Sequence, residues 1–589
     1  MSSLVAGPGF VEDKAASQQE PSPAGPRRRR KRGSWAPSAP LLLILGFLIL
    51  VPAGFVVLAA FTSEIPRPGE IAFAPTLRNF GVLIEAGVVQ ATLNSLFIGI
   101  SATALAVAIG SYLAFLVART DIPLPGFVFF IGLMPLFFPS YVGALAWSIL
   151  ASPGAGLINV AGRDLGLGTL FNAYSFAGVI LVMALFYAPY SFLLVHSSMS
   201  MMNPDLEDAG AVHGARMKTI LRTVTFPLST PAILGSGLLI FVLVFENFPV
   251  SQVLATPGQI DTLPTFIYRL MNALPSRGNE AAAVAILLVS FVLFLNWLQN
   301  RTIAKKSYTT VSGKGVKARK VTLGRLRWPA FALAFVYFLH AVVLPFAALV
   351  FTALRSSPYM SSFSRLTEPG AFDASAFRSV LTSADFWAVT SNSVIVAVIA
   401  AGGGTVLAFL VAYVVYRTNA RGRSLLEQIS MVPLAIPAIV LAIGLLWTWL
   451  AMPIPLYGTL GVLVIAFIAV QMPQGLRSVA SSIQATDRDL EDAAVLLGAK
   501  RARAITFVTL PLMRVAISSA FLVLLMLSMR ELTVPLFLYT ADTKILSIAI
   551  FDEFENGGAL QYATAMSVIY CVVMFILSYL PRRVGAKDS

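Results

Sequence analysis

Residues 206–228 read LEDAGAVHGARMKTILRTVTFPL, and residues 490–512 read LEDAAVLLGAKRARAITFVTLPL. Both are polar islands between long apolar runs, 284 positions apart. Acid, glycine and proline recur at the same spacing: Asp208 with Asp492, Gly214 with Gly498, Pro227 with Pro511. One such island could be an amphipathic loop lying on lipid headgroups. Two in register imply that a larger unit has been copied around them.

Of the 589 residues, 57% are hydrophobic and only 12% charged. A soluble chain carries about 25% charge, so most of this one is solvated by lipid. About 20 apolar residues cross a bilayer. That rule predicts twelve spans, near 40–61, 92–118, 126–150, 173–198, 229–249, 280–299, 329–354, 390–416, 428–450, 458–482, 513–535 and 559–580. The runs are continuous rather than alternating, which indicates helices and not a barrel. The fold class expected is an all-α polytopic membrane protein.

The net charge of +14 is spread over short basic clusters between the spans. Positive-inside topology accounts for these clusters without nucleic acid. With the N-terminus inside, Arg119, both islands, the linker 300–328 and the C-terminal tail all fall on the cytoplasmic side, so both termini are expected there. Arg27 to Arg32 abut the first apolar run, which is long enough to span and is expected to be retained. The lone Cys571 and the scattered His196, His213 and His340 offer no metal-ligand spacing, and no phosphate-binding glycine loop of the Walker kind occurs. No cofactor or metal is expected on this chain.

The copy extends beyond the islands. Asn94/Asn392, Arg119/Arg417, Pro135/Pro433 and Pro139/Pro437 keep an offset of 298; Pro189/Pro473 and the island pairs keep 284. The first copy therefore holds 14 extra residues (298 less 284), assigned to the connector near 151–170. The domain reading is a disordered basic tail (1–39), a six-helix unit (40–299), a basic linker (300–328), a second six-helix unit (329–581) and a tail (582–589). Six is even, so the repeats are parallel, related by an axis along the membrane normal.

Each island begins as a helix should. Asn203-Pro204-Asp205 and Thr486-Asp487-Arg488-Asp489 offer a cap and acids at the positive end of the dipole. Gly214 and Gly498 are the stops expected for a short helix. The paired prolines at 135/139 and 433/437 are expected to kink or interrupt the third and ninth spans.

The island pattern resembles the EAA loop of ABC importer permeases, E-A-A-x-x-x-G followed after nine residues by I-x-L-P. Here it stands as Asp208-Ala209-Gly210-x-x-x-Gly214 with Pro227, and as Asp492-Ala493-Ala494-x-x-x-Gly498 with Pro511. Asp replaces the usual Glu, although Glu207 and Glu491 sit just before. The resemblance covers both units, roughly residues 40–581. It implies a type I, binding-protein-dependent permease of the bacterial inner membrane, with both copies fused. It also implies that Glu207, Asp208, Ala209, Gly214, Pro227, Glu491, Asp492, Ala493, Gly498 and Pro511 couple the chain to a cytoplasmic ABC ATPase homodimer, which uses ATP and Mg, and that an extracytoplasmic substrate-binding protein delivers the cargo. The stretches 241–270 and 529–540 are similar to permeases of ferric-iron uptake; fused permeases for thiamine, phosphonates and polyamines share the architecture.

Ionisable groups inside a membrane are functional candidates. Glu246 lies 19 residues past Pro227, roughly 28 Å along a helix, which points to the outer face. Arg530 and Glu531 match it in the second copy. Glu246, Asn247, Arg530 and Glu531 are expected either to gate a pathway or meet the binding protein, or to be interfacial paired charges. An ion-coupled secondary transporter is the competing class; it predicts charges deep in the bilayer and needs no doubled loop.

Overall fold

Inside hydrocarbon a backbone N–H or C=O finds no water, so each apolar run must close its own hydrogen bonds. The computed structural model describes residues 34–64, 74–202, 205–304, 320–556 and 558–586. The first 33 residues, the linker segment 305–319, residues 587–589 and the Asn203-Pro204 cap lie outside the described residues.

Among the described residues, nine helices are long and apolar enough to cross: Ala39–Ala60, Ala86–Arg119, Phe176–Ser200, Met217–Phe245, Gly278–Gln299, Gly324–Ala353, Ala384–Arg417, Leu460–Ala485 and Leu560–Ser578. Three further spans are bent pairs: Pro125–Phe137 with Ser140–Ala151 (95°), Arg423–Leu434 with Ala438–Ala451 (108°), and Arg501–Leu512 with Arg514–Arg530 (75°). Counting each pair once, the described residues hold up to twelve spans, six per copy. They match the expected positions, and the two six-helix repeats run in the same order.

The prolines do more than kink. Phe138, ahead of Pro139, is forced to an extended ψ of 121°, and Pro139 itself sits at ψ 125°; Pro437 repeats this at ψ 141°. The helix stops and restarts nearly at a right angle, so the third and ninth spans are broken rather than straight.

The second and eighth spans each have 34 residues. That is about 51 Å of helix against about 30 Å of hydrocarbon, so both project well beyond the bilayer core. Arg119 and Arg417 close their ends, and these ends meet the islands.

The copies embrace. In the first span Phe47 meets Trp449 edge-on at 5.8 Å, and an added Cβ on Gly444 would meet the Pro52 carbonyl at 2.3 Å. Reciprocally, in the seventh span Phe338 meets Phe127 at 6.0 Å, and His340 stacks on Trp147 at 6.3 Å. The chain entering each of these spans pairs with the turn after the other copy's long helix. Val321 exchanges backbone bonds with Arg119 and Asp121 (2.7 and 3.1 Å), and Arg421 donates its N–H to the Ser34 carbonyl at 3.1 Å. The extra residues of copy one form a short helix, Leu157–Asp164. Asn159 ties its ends with four hydrogen bonds, and Asp164 accepts from Ser362 and Phe363 of copy two.

Candidate functional site

Each island folds as an eight-residue helix, Asp205–Val212 and Asp489–Leu496, with three acids in the first turn. The second start turns on Asp487, ahead of the Arg488 N-cap. Asp487 accepts the Asp489 N–H at 3.1 Å, while the Thr486 hydroxyl turns back to the Ser482 carbonyl.

Gly214 and Gly498 end the helices with φ of +78° and +95°. In each copy the next residue's N–H reaches back five positions (Ala215 to Gly210, Ala499 to Ala494), and the glycine's own N–H reaches back three (to Ala211 and Val495). This paired closure needs a left-handed residue at the glycine position. The chain then re-enters a helix that widens into a π turn, Leu221–Thr225 and Ile505–Thr509, just before Pro227 and Pro511. Proline cannot donate to the preceding turn and crowds its carbonyl, and the wider turn accommodates it.

The neighbouring acids part company. Asp208, Ala209 and Val212 are exposed, as are Asp492, Ala493 and Leu496. Spacings of three and four put each trio on one face. Val212 is 84% exposed, Leu496 87% and Leu497 90%, so two helix tips offer bare apolar surface beside an acid. Asp492 lies 3.8 Å from Arg501.

Glu207 and Glu491 point the other way, at 5% and 4% exposure. Both are among the residues expected to couple the chain to its ATPase, and their burial keeps them off the exposed face. One position further along a helix turns the side chain by about 100°, which takes these two into the protein. Glu207 lies 3.1 Å from Arg119, itself 1% exposed, and accepts from the Thr225 hydroxyl at 2.6 Å. Glu491 accepts from the Thr509 hydroxyl at 3.1 Å and from Tyr413, and lies 3.2 Å from Arg501. Removing one partner of a buried ion pair costs about 3–5 kcal/mol, because the other charge is stranded. The Arg501 pairing is worth about 1 kcal/mol or less, since that side chain is 55% exposed to water.

The second cluster lies where the copies meet. Asn247 and Glu531 are repeat mates and do the same work. The Val250 N–H donates to Asn247 at 2.9 Å, and the Val534 N–H to Glu531 at 3.3 Å, each tying the turn after its span. Asn247 also donates to the Tyr187 hydroxyl at 2.7 Å. Arg530 donates to the Leu136 carbonyl at 2.9 Å. That carbonyl sits at the break before Pro139, where no helical N–H follows to take it.

Glu246 is followed by chain that folds back into the protein. The chain beyond it stays inside, with Phe248, Val250, Leu254, Leu263 and Ile267 all fully buried. Gln252 crosses to Glu555 of copy two at 3.1 Å, and burial pushes that carboxyl above its usual range. Nearby, Asp552 pairs with Lys544 at 2.7 Å and holds the ammonium above the usual lysine range. Among the described residues no group of three His, Cys, Asp or Glu could hold a metal ion.

Sequence reasoning missed several residues. Thr225 and Thr509 anchor the inward glutamates; Tyr413 and Arg501 complete the second set. Ser95 and Ser393 accept the N–H groups of Leu263 and Leu546 at 2.8 and 2.6 Å. Beside them, Asn94 and Asn392 donate to the carbonyls of Asp261 and Asp542. For the threonines, serines and asparagines the available signal was recurrence at fixed offsets, which Tyr413 and Arg501 lack; the partners lie up to 168 residues away.

A twice-written six-span bundle with broken third and ninth spans, and two short loop helices, has the build of a membrane permease. Residues 404–586 match the family described as "Binding-protein-dependent transport system inner membrane component". Over 562 residues the chain is 24% identical to "Ferric transport system permease protein FbpB" of Actinobacillus pleuropneumoniae, covering 92% of this chain and 77% of that one. It is 24% identical over 526 residues to "Putative ferric transport system permease protein FbpB 1" of Haemophilus influenzae, covering 86% and 78%. It is 26% identical over 558 residues to "Probable ABC transporter permease protein y4fN" of Sinorhizobium fredii, covering 91% and 94%. The second copy thus matches the family of binding-protein-dependent importer permeases, and nearly the whole chain is similar to permeases of that kind, consistent with two copies fused in one polypeptide.

Proposed function

We propose that this permease passes ferric iron across the bacterial cytoplasmic membrane, powered by a separate ABC ATPase homodimer and fed by an extracytoplasmic binding protein. The observation that carries the coupling reading is the doubled outward face: Asp208, Ala209 and Val212, and Asp492, Ala493 and Leu496. Apolar tips this exposed beside an acid suit a partner with two like sockets. ATP and Mg belong to that partner, and both termini and the 300–328 linker lie with the loops in the cytoplasm. The basic clusters support this orientation. Ferric iron as cargo rests on the names of the long relatives. The pathway runs along the junction of the copies, past Glu246, Arg530 and Glu531.

Two experiments test the reading. Uptake of labelled ferric iron, with thiamine and a phosphonate in parallel, is compared in cells with and without the chain. Loss of iron uptake alone is expected; loss of another cargo instead would replace iron and keep the importer. Reversing charge at both outward acids, Asp208→Arg with Asp492→Arg, is expected to abolish uptake and ATPase co-purification while leaving membrane insertion intact. Normal uptake in that variant would remove the docking assignment.

A further inference from the structure

The inward glutamates are off the exposed face, yet each is buried and tied to residues beyond its own loop helix. We propose that Glu207 and Glu491 are positioning residues that fix the loop helices to the membrane helices, and that they do so unequally. The first loop moves with the second span as one body, while the second loop is held more softly. This inference rests on the docking reading above.

The inequality has a local cause. The residue one turn before each long helix's terminal arginine is Phe115 in copy one and Tyr413 in copy two. Phe115 offers no hydroxyl and stacks on Phe226 at 6.0 Å. Glu207 is therefore left to Arg119, across 3.1 Å and out of water. Tyr413 reaches Glu491 first, and Arg417 turns away to the Thr486 carbonyl at 2.5 Å. The second loop's charge partner is Arg501, which stands where copy one has Met217. Arg501 belongs to the re-entering segment of the loop itself. Glu491 thus reaches the eighth span through a neutral hydroxyl, and its cation is half in solvent.

A displacement of the first loop helix relative to the second span would strand two charges in a dry site, so the pair resists sliding and carries a push as a rigid link. Displacing the second loop helix breaks the Tyr413 hydroxyl bond and the arginine bonds to the Thr486 and Tyr416 carbonyls, and leaves Arg501 to water, but strands no buried ion pair.

The test uses the full chain reconstituted with its ATPase and binding protein in proteoliposomes. It reads three quantities for each assembled complex: bound ATPase, ATP hydrolysed, and ferric iron moved. Glu207→Gln is expected to retain the ATPase and its hydrolysis but to move roughly tenfold less iron per ATP, within the range of known coupling energies. Glu491→Gln is expected to lose less. Because Glu207→Gln leaves Arg119 buried without its counter-charge, Arg119→Met with Glu207→Leu serves as a second variant that strands no charge, and the same loss of iron per ATP is expected. Unchanged iron per ATP in the assembled variants would overturn the proposal, as would an equal loss from Glu491→Gln. Failure of both Glu207 variants to assemble would also overturn it, by making the pair a folding determinant. Loss of ATPase from Glu207→Gln would make this a docking residue instead. A native chain that binds no ATPase would sink the docking reading itself, and the two failures are thereby told apart.

Discussion

The two loops carry the same buried carboxylate and the same threonine beneath it, yet the first closes on an arginine from a membrane helix and the second on a tyrosine and an arginine of its own segment. Two substitutions, Phe115 against Tyr413 and Met217 against Arg501, account for the difference. A repeat can preserve a function while each copy finds its own way to neutralise the same charge. The spans above the loops differ too. Met217–Phe245 runs as one crossing helix, whereas its mate bends by 75° at Met513. The stiffer anchor therefore sits beneath the unbroken helix.

The largest expected effect breaks the anchors in parallel. Arg119→Met strands Glu207 and should cost about 3–5 kcal/mol. Arg417→Met removes hydrogen bonding to one carbonyl and should cost about 1–2 kcal/mol. Thermal unfolding of the two variants in the same detergent measures the gap, and equal shifts would erase the distinction between the loops. A smaller change sharpens it. Tyr413→Phe gives the second copy the first copy's ring and should cost about 1 kcal/mol, because Thr509 and Arg501 still hold Glu491. A loss as large as that of Arg119→Met would mean that the hydroxyl, not the arginine, bears the load.

The smallest effect concerns the turns after the two long helices. Leu124 and Gly422 are repeat mates, both left-handed at φ +52° and +80°. A side chain in that region costs about 1–2 kcal/mol, so Leu124→Gly should raise stability by about 1 kcal/mol. The reverse change is barred, since a Cβ at Gly422 would fall 2.4 Å from the Trp35 ring. Unfolding of Leu124→Gly at an unchanged or lower temperature would show that the leucine gains from packing what it loses in its backbone.

Much of this was legible in the residues. Twelve apolar runs specify twelve spans, because lipid leaves the backbone no alternative to the helix. Fixed offsets of acid, glycine and proline specify two parallel copies, since those residues act on their own turn whatever surrounds them. Gly214 and Gly498 stop helices for that local reason, and Pro139 and Pro437 break them for the same one. What the residues could not specify is direction. Glu207 and Asp208 are adjacent acids, and nothing in their order says which is buried; Arg119, 88 residues earlier, settles it by arriving at the end of a helix too long for the bilayer. Helical arithmetic likewise measured how far Glu246 lies along its helix but not what covers it, because distance along one helix ignores the chain that folds over its end. Local rules act between neighbours in sequence, whereas the pairing of charges and the crossing of the two copies depend on groups that only packing brings together.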